Sequence, residues 1–198
     1  MVQAADAAIK ADQTASDALT ATARRNMETA RAEMETAKRT LTARDARASA
    51  EEARAQQLTQ EGKLADAASA YQAAASLYRG AAKRESEQRD LNAVSASLDQ
   101  YRVAYEQKNM DLMRAVFPTM SAAEEGRVRE TMRNARTIQV KLDPPTTTVS
   151  GDTASAETRM QFTFRATIGN QTTTTPQDSV VFNLRRRGGA WVIESIAR

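Results

Sequence analysis

Arginines dominate the side chains that could do chemistry in this chain. Arg185, Arg186 and Arg187 stand together before Gly188-Gly189, a run that could grip a phosphate or another anion. Arg159, Gln161, Thr163 and Arg165 occupy alternate positions, so on a strand all four share one face. The carboxylates Asp99, Asp111, Asp143, Asp152 and Asp178 are scattered, and no Asp or Glu cluster has the spacing of a Mg²⁺ or Ca²⁺ site. There is no cysteine and no histidine. That excludes thiolate nucleophiles, disulfides, zinc clusters, Ser-His-Asp triads and a histidine general base. No Gly-rich phosphate loop is present. The sequence therefore predicts no catalytic residue, no cofactor and no metal, and the chain reads as a non-enzyme.

Charge and hydropathy narrow the classes further. The net charge is +3 and the mean hydropathy is -0.59. Residues 1–90 carry 14 basic and 14 acidic side chains, so residues 91–198, with 14 and 11, account for the whole excess. An excess this mild is no strong nucleic-acid signal. The longest apolar runs are far too short to span a bilayer, so no membrane segment is expected. Met1-Val2-Gln3-Ala4-Ala5-Asp6 lacks the basic and apolar regions of a secretory signal, and reads as the start of a soluble fragment that enters a helix at once. The compartment is left open.

The elements that must position these residues fall into two groups. Residues 1–90 hold 27 alanines; residues 1–117 have no proline and only two glycines, Gly62 and Gly80. Ala23, Met27, Ala30, Met34, Ala37 and Leu41 follow one another at steps of four and three, a heptad seam on one stripe of a helix. The seam weakens at Arg44. One helix is predicted over about 3–60, a turn at 61–63 around Gly62, and a second helix from Leu64. The stripe reads as a coiled coil, in a hairpin or with another copy; the alternative is a solvated spacer helix. Ala55, Leu58, Gly62, Ala67, Tyr71 and Ala74 resemble a single tetratricopeptide repeat, read here as a helical hairpin of related geometry. Arrays of such repeats need about three units to be stable.

From residue 91 the pattern changes. Leu91, Val94, Leu98, Tyr101 and Tyr105 make a helix face with larger side chains. Asn109 can cap a short helix carrying Leu112, Val116 and Phe117, and Ser121-Ala122-Ala123-Glu124 is a capping box opening a third. Alternating runs then predict strands: Ile138, Val140, Leu142; Met160, Phe162, Phe164; Val180, Phe182, Leu184; and a last strand from Trp191. Turns are expected at Ser150-Gly151-Asp152, Gly169-Asn170 and Gly188-Gly189. Period 2 with one apolar face means an antiparallel sheet covered on one side. The fold class is α+β: a long Ala-rich helical arm or hairpin (1–90), then three helices on a curved antiparallel sheet forming a cone (91–198).

Tyr101-Arg102-Val103-Ala104-Tyr105-Glu106-Gln107-Lys108-Asn109-Met110-Asp111, Val116-Phe117-Pro118, Gly151-Asp152-Thr153-Ala154, Val181-Phe182-Asn183-Leu184 and Gly188-Gly189-Ala190-Trp191-Val192-Ile193 carry a resemblance to the nuclear transport factor 2-like (cystatin-like) superfamily, which includes ketosteroid isomerase and SnoaL-type polyketide cyclases. It covers about 91–198. Behind a helical-repeat segment, the arrangement also resembles C-terminal regions of bacterial multidomain, kinase-like proteins. The resemblance implies a cone fold and specifies no activity. Enzymes of that superfamily use an Asp base, a Tyr or acid donor, or an Asp/His pair, and none of these can be placed on this sequence.

Met160, Phe162 and Phe164 should point into the cone and fill it, which leaves no room for substrate. Arg159, Gln161, Thr163 and Arg165 then face outward, on the surface that such domains use to dimerise. With the register inverted, Arg159 and Arg165 would instead line a pocket for an acidic ligand. The function expected is a non-catalytic interaction module. Its partner is a protein, itself or another, with homo-oligomerisation through the Ala23-to-Leu41 seam or the sheet face. The alternative is a small-ligand-binding or lyase/isomerase domain with an unidentified pocket.

Overall fold

A computed structural model of the chain describes residues 2–168 and 171–197. The expected turn at Gly169-Asn170 lies outside the described residues. Five helices come first: α1 (Val2–Lys38), α2 (Ala46–Gln60), α3 (Leu64–Glu106), α4 (Met110–Val116) and α5 (Ala122–Asn134). Six strands follow: β1 (Ala135–Leu142), β2 (Thr146–Ser150), β3 (Thr153–Ala166), β4 (Thr172–Thr174), β5 (Asp178–Arg187) and β6 (Ala190–Ala197). The chain divides into two compact units, Met1–Ser86 and Glu87–Arg198, and α3 passes from one to the other without a break.

The first unit corrects the single helix expected over 3–60. Helix α1 ends at Lys38, and α2 begins at Ala46. Two local effects make the break. The Thr40 hydroxyl turns back to the Ala37 carbonyl at 2.7 Å, competing with helix continuation. Asp45 then caps α2 by accepting from the Ala48 amide at 2.9 Å. Helix α2 ends at Glu61-Gly62-Lys63, where Gly62 takes φ +73° and the Lys63 amide reaches back to the Leu58 carbonyl at 2.9 Å. With the chain reversed, α1 and α2 pack on α3. Met27, Ala30, Met34 and Ala37 are buried with Ala48 and Ala55 of α2 and Ala67, Tyr71, Ala74 and Tyr78 of α3. Alanine allows the close approach; methionine and tyrosine supply the apolar area.

In the second unit the sheet is built around β3. Along one edge of it lie β1 and β2; along the other, β5 and β4. Strand β6 pairs with the outer edge of β5, all antiparallel. Irregularities between Ala135 and Thr137, and between Asn183 and Leu184, mark bulges where the sheet can bend. Ala154, Ala156, Thr158, Met160, Phe162 and Phe164 alternate along β3 toward the helices, while Arg159 lies exposed on the outer face. The C-terminal half of α3, with α4 and α5, covers the inner face. There Val94, Leu98, Tyr101, Met113, Val128, Phe182, Leu184 and Ile193 form one core. Asn109 caps α4, and Ser121 with Glu124 closes the capping box of α5.

Candidate functional site: an apolar cleft in the cone

A line of aromatic rings runs from the core to the open end of the cone. Phe182, fully buried, meets Tyr101 edge-on at 5.3 Å; Tyr101 meets Tyr105 at 5.2 Å; Tyr105 meets Phe162 at 5.0 Å. Past Phe162 the packing stops. Small-ligand sites run from about 300 to 1,000 Å³, and this cleft measures about 610 Å³. Its walls are Tyr101, Tyr105, Phe117, Met120, Val128 and Ile138, with Met160, Phe162, Phe164 and Ile196. The filled cone expected from the sequence is thereby corrected. Met160, Phe162 and Phe164 do point inward, yet β5 pairs with β3 only as far as Met160, and the three-residue β4 takes over opposite Thr163 to Arg165. Phe162 and Phe164 are left half-buried.

The polar side chains of the cleft are few. Glu124, Arg127 and Thr131 come from α5, at spacings of three and four that set them on one helix face, and Thr175 follows β4. Glu124 is held by Ser121: its Oε2 accepts from the Ser121 amide at 2.8 Å and from the Ser121 hydroxyl at 2.6 Å. Those bonds hold its carboxyl below the usual range, with help from Arg127. The Thr131 hydroxyl donates to the Arg127 carbonyl at 2.9 Å. Thr175 Oγ1 accepts from the Phe162 amide at 3.0 Å, pinning the loop to β3. These α5 residues escaped the sequence reading, although the capping box was visible, because period alone does not say which helix face overhangs a gap.

The residues singled out in the sequence lie elsewhere. Met27, Ala30, Met34 and Ala37 are buried within their own helical unit, Leu41 packs partly against it, and Ala23 is half-buried. The partner helix that this seam requires is thus supplied by the same chain. Gln161, Thr163 and Arg165 are half-buried on the outer sheet face; Gln161 donates to the Thr175 carbonyl at 3.2 Å, and Thr163 lies 3.1 Å from the Thr174 hydroxyl. Arg159 and Arg165 do not line the cleft, so the inverted register is not the one adopted. The 185–187 run is paired rather than open. Arg185 and Arg187 both reach Glu194, at 3.1 and 3.4 Å, and Arg186 binds Asp90 at 2.6 Å with its guanidinium 4.8 Å above the Trp191 ring.

A second hollow, about 520 Å³, lies in the helical unit beside Lys38, Arg44, Ser49, Glu52 and Tyr78. Its buried carboxylate is already met: Lys38 Nζ reaches Glu52 at 2.7 and 2.9 Å, and the Tyr78 hydroxyl at 2.6 Å. Among the described residues no group of three or more Asp or Glu could hold a metal ion, and no helix is long and apolar enough to cross a membrane.

No protein-family model and no curated protein matches the sequence. Solved structures do. A protein of Novosphingobium aromaticivorans provisionally named scytalone dehydratase superposes with a TM-score of 0.53 at 10% identity, over 57% of this chain and 85% of its own. A conserved protein of Planctomyces limnophilus gives 0.52 at 10% identity, over 56% and 95%. A nuclear transport factor 2-like superfamily protein of Salmonella enterica gives 0.49 at 16%, over 56% and 89%. Identities this low speak to the fold alone. With three helices laid over a curved antiparallel sheet, the second unit has the nuclear transport factor 2-like cone fold.

Proposed function

We propose that the second unit binds a small, largely apolar molecule in the open end of its cone, and binds it without turning it over. The observation that carries this reading is the cleft itself: about 610 Å³ walled mainly by aromatic and aliphatic side chains. Hydrophobic walls with a few placed polar groups are the usual make-up of a small-molecule site. The case against turnover comes from the acid-base groups present. A general acid at neutral pH needs a carboxyl raised toward 7. Glu124 is shifted the other way: the Ser121 hydroxyl and amide hold it in its ionised form, which does not serve as a general acid.

The test is titration of the full chain with N-phenyl-1-naphthylamine, a neutral probe that fluoresces when it leaves water. Saturable binding is expected, and Thr131→Trp, which adds an indole at the cleft from an exposed position, should abolish it while leaving the urea midpoint unchanged. Absence of saturable binding, or binding indifferent to Thr131→Trp, would refute the reading.

A second reading, self-association through the outer sheet face, has one observation in its favour. Ser155, Glu157 and Arg159 are exposed in a row along β3, on the side the helices do not cover. Light scattering on a sizing column decides it: a dimer that Arg159→Glu returns to monomer would support this reading, and a monomeric wild-type chain would end it.

A further inference from the structure

The cleft's polar rim narrows the chemistry of its occupant, and this inference rests on the ligand-binding reading above. Thr131 and Thr175 have their hydroxyls engaged with backbone, and the Glu124 carboxylate is tied to Ser121. Arg127 differs. Among the described residues its guanidinium makes no hydrogen bond and no ion pair, and its charge acts only at a distance, helping to hold the Glu124 carboxyl down. Arg133, also on α5, is likewise without a bond among the described residues but does not line the cleft. Arg114 and Arg129 both bind Glu125, on the same helix.

We propose that the natural occupant is an apolar molecule carrying a single anionic group, with its body among the aromatic rings and its charge on Arg127. A guanidinium offers a planar fork of donors that matches a carboxylate or sulfonate, and such charge-assisted bonds are among the strongest available at a partly dry rim. Glu124 does not cancel this. Its charge is compensated by the Ser121 amide and hydroxyl and by the positive end of α5, leaving Arg127 as the group at this rim able to take a new partner. The cleft has no second unengaged cation among the described residues, which is why the ligand is a monoanion rather than a bisphosphate or dicarboxylate.

A matched pair of probes tests it. 1-Anilinonaphthalene-8-sulfonate is N-phenyl-1-naphthylamine with one sulfonate added, so the two report the apolar body and the charge separately. In the full chain the sulfonate should bind about tenfold more tightly than the neutral amine. Arg127→Gln should erase that preference while leaving the neutral probe's affinity within about twofold, and Arg127→Lys should keep part of it. Added salt should shrink the preference in the wild type and not in Arg127→Gln. Equal binding of both probes, unchanged by Arg127→Gln, overturns the anion assignment and leaves the apolar cleft standing. Failure of both probes to bind overturns the cleft reading and the anion assignment with it.

Discussion

The Tyr78 hydroxyl donates a 2.6 Å hydrogen bond to the carboxylate of Glu52, a residue 26 positions earlier, and both side chains are buried in an interior otherwise made largely of alanine and methionine. Lys38 completes the set from α1, so one carboxylate ties three helices together. Small side chains give such a bundle little to fix the helices against sliding. A polar anchor that only one register satisfies provides that.

Tyr78→Phe keeps the ring and removes the donor. Loss of a buried hydrogen bond to a charged group should cost about 1.5–3 kcal/mol. The check is the urea midpoint followed by far-ultraviolet circular dichroism. A change within error would mean that Lys38 alone satisfies Glu52.

The same anchor sets limits in pH. Burial pushes the Glu52 carboxyl up, but the bonds from Lys38 and Tyr78 outweigh it, and its pKa lies below the ordinary value. Its stabilisation is therefore complete above the usual glutamate pKa of about 4.3 and is lost as pH falls through the lower folded value. Lys38 is raised by its bond to Glu52, and Tyr78 by burial and by that carboxylate. Their contributions are complete below the usual values of about 10.4 and 10 and are lost as pH rises through the higher folded ones. Urea midpoints against pH should form a plateau with a fall on each side, and Glu52→Gln should flatten the acid fall. Identical acid limbs in wild type and variant would contradict the assignment.

Two phenylalanines on the same inner sheet face should behave differently. Phe182 is fully buried, so Phe182→Ala should cost about 3–5 kcal/mol. Phe162 is half-buried at the cleft, and Phe162→Ala should cost about 1–2 kcal/mol while weakening the neutral probe. Trp191 is the chain's one tryptophan and belongs to this unit, so its fluorescence in urea gives the comparison. Equal costs would mean that the cleft closes around Phe162 in solution.

Arg186 sits between Asp90 and the Trp191 ring. Arg186→Leu leaves that carboxylate without its partner and the indole without its cation, at a cost of about 1–3 kcal/mol. Arg186→Lys should recover less than half, because an ammonium cannot both stack and reach sideways. Trp191 emission and the urea midpoint report the two effects, and full rescue by lysine would reduce the interaction to charge alone.

Most of the architecture was legible in the residues. Alternation at Val180, Phe182 and Leu184 placed the inner face of β5, and Asn109 and Ser121 opened their helices where expected. Gly62 marked the turn between α2 and α3 because only its positive φ is needed there. The break after Lys38 was not foreseen, since Thr40 and Asp45 act through side-chain bonds that carry no periodic signal. The cleft was misjudged for a related reason. Alternation tells which way Phe162 and Phe164 point, but whether anything meets them depends on how far the strands beside β3 extend.

The central place of β3 has a consequence for how this protein reaches its fold. Four strands hydrogen-bond to it, and its pairs with β1 and β5 join residues roughly 20–30 positions apart. The β2–β3 pairs around Gly151, the short β3–β4 pairs and the β5–β6 pairs around Gly188-Gly189 are local. Those hairpins can form in microseconds, whereas docking them along β3 requires closing longer loops first. Within the helical unit each helix can form from local contacts, although packing α1 on α3 joins residues as far apart as those paired along β3. During synthesis the alanine-rich helices emerge before the strands that β3 must gather, so the part of the chain that carries the cleft matures after them.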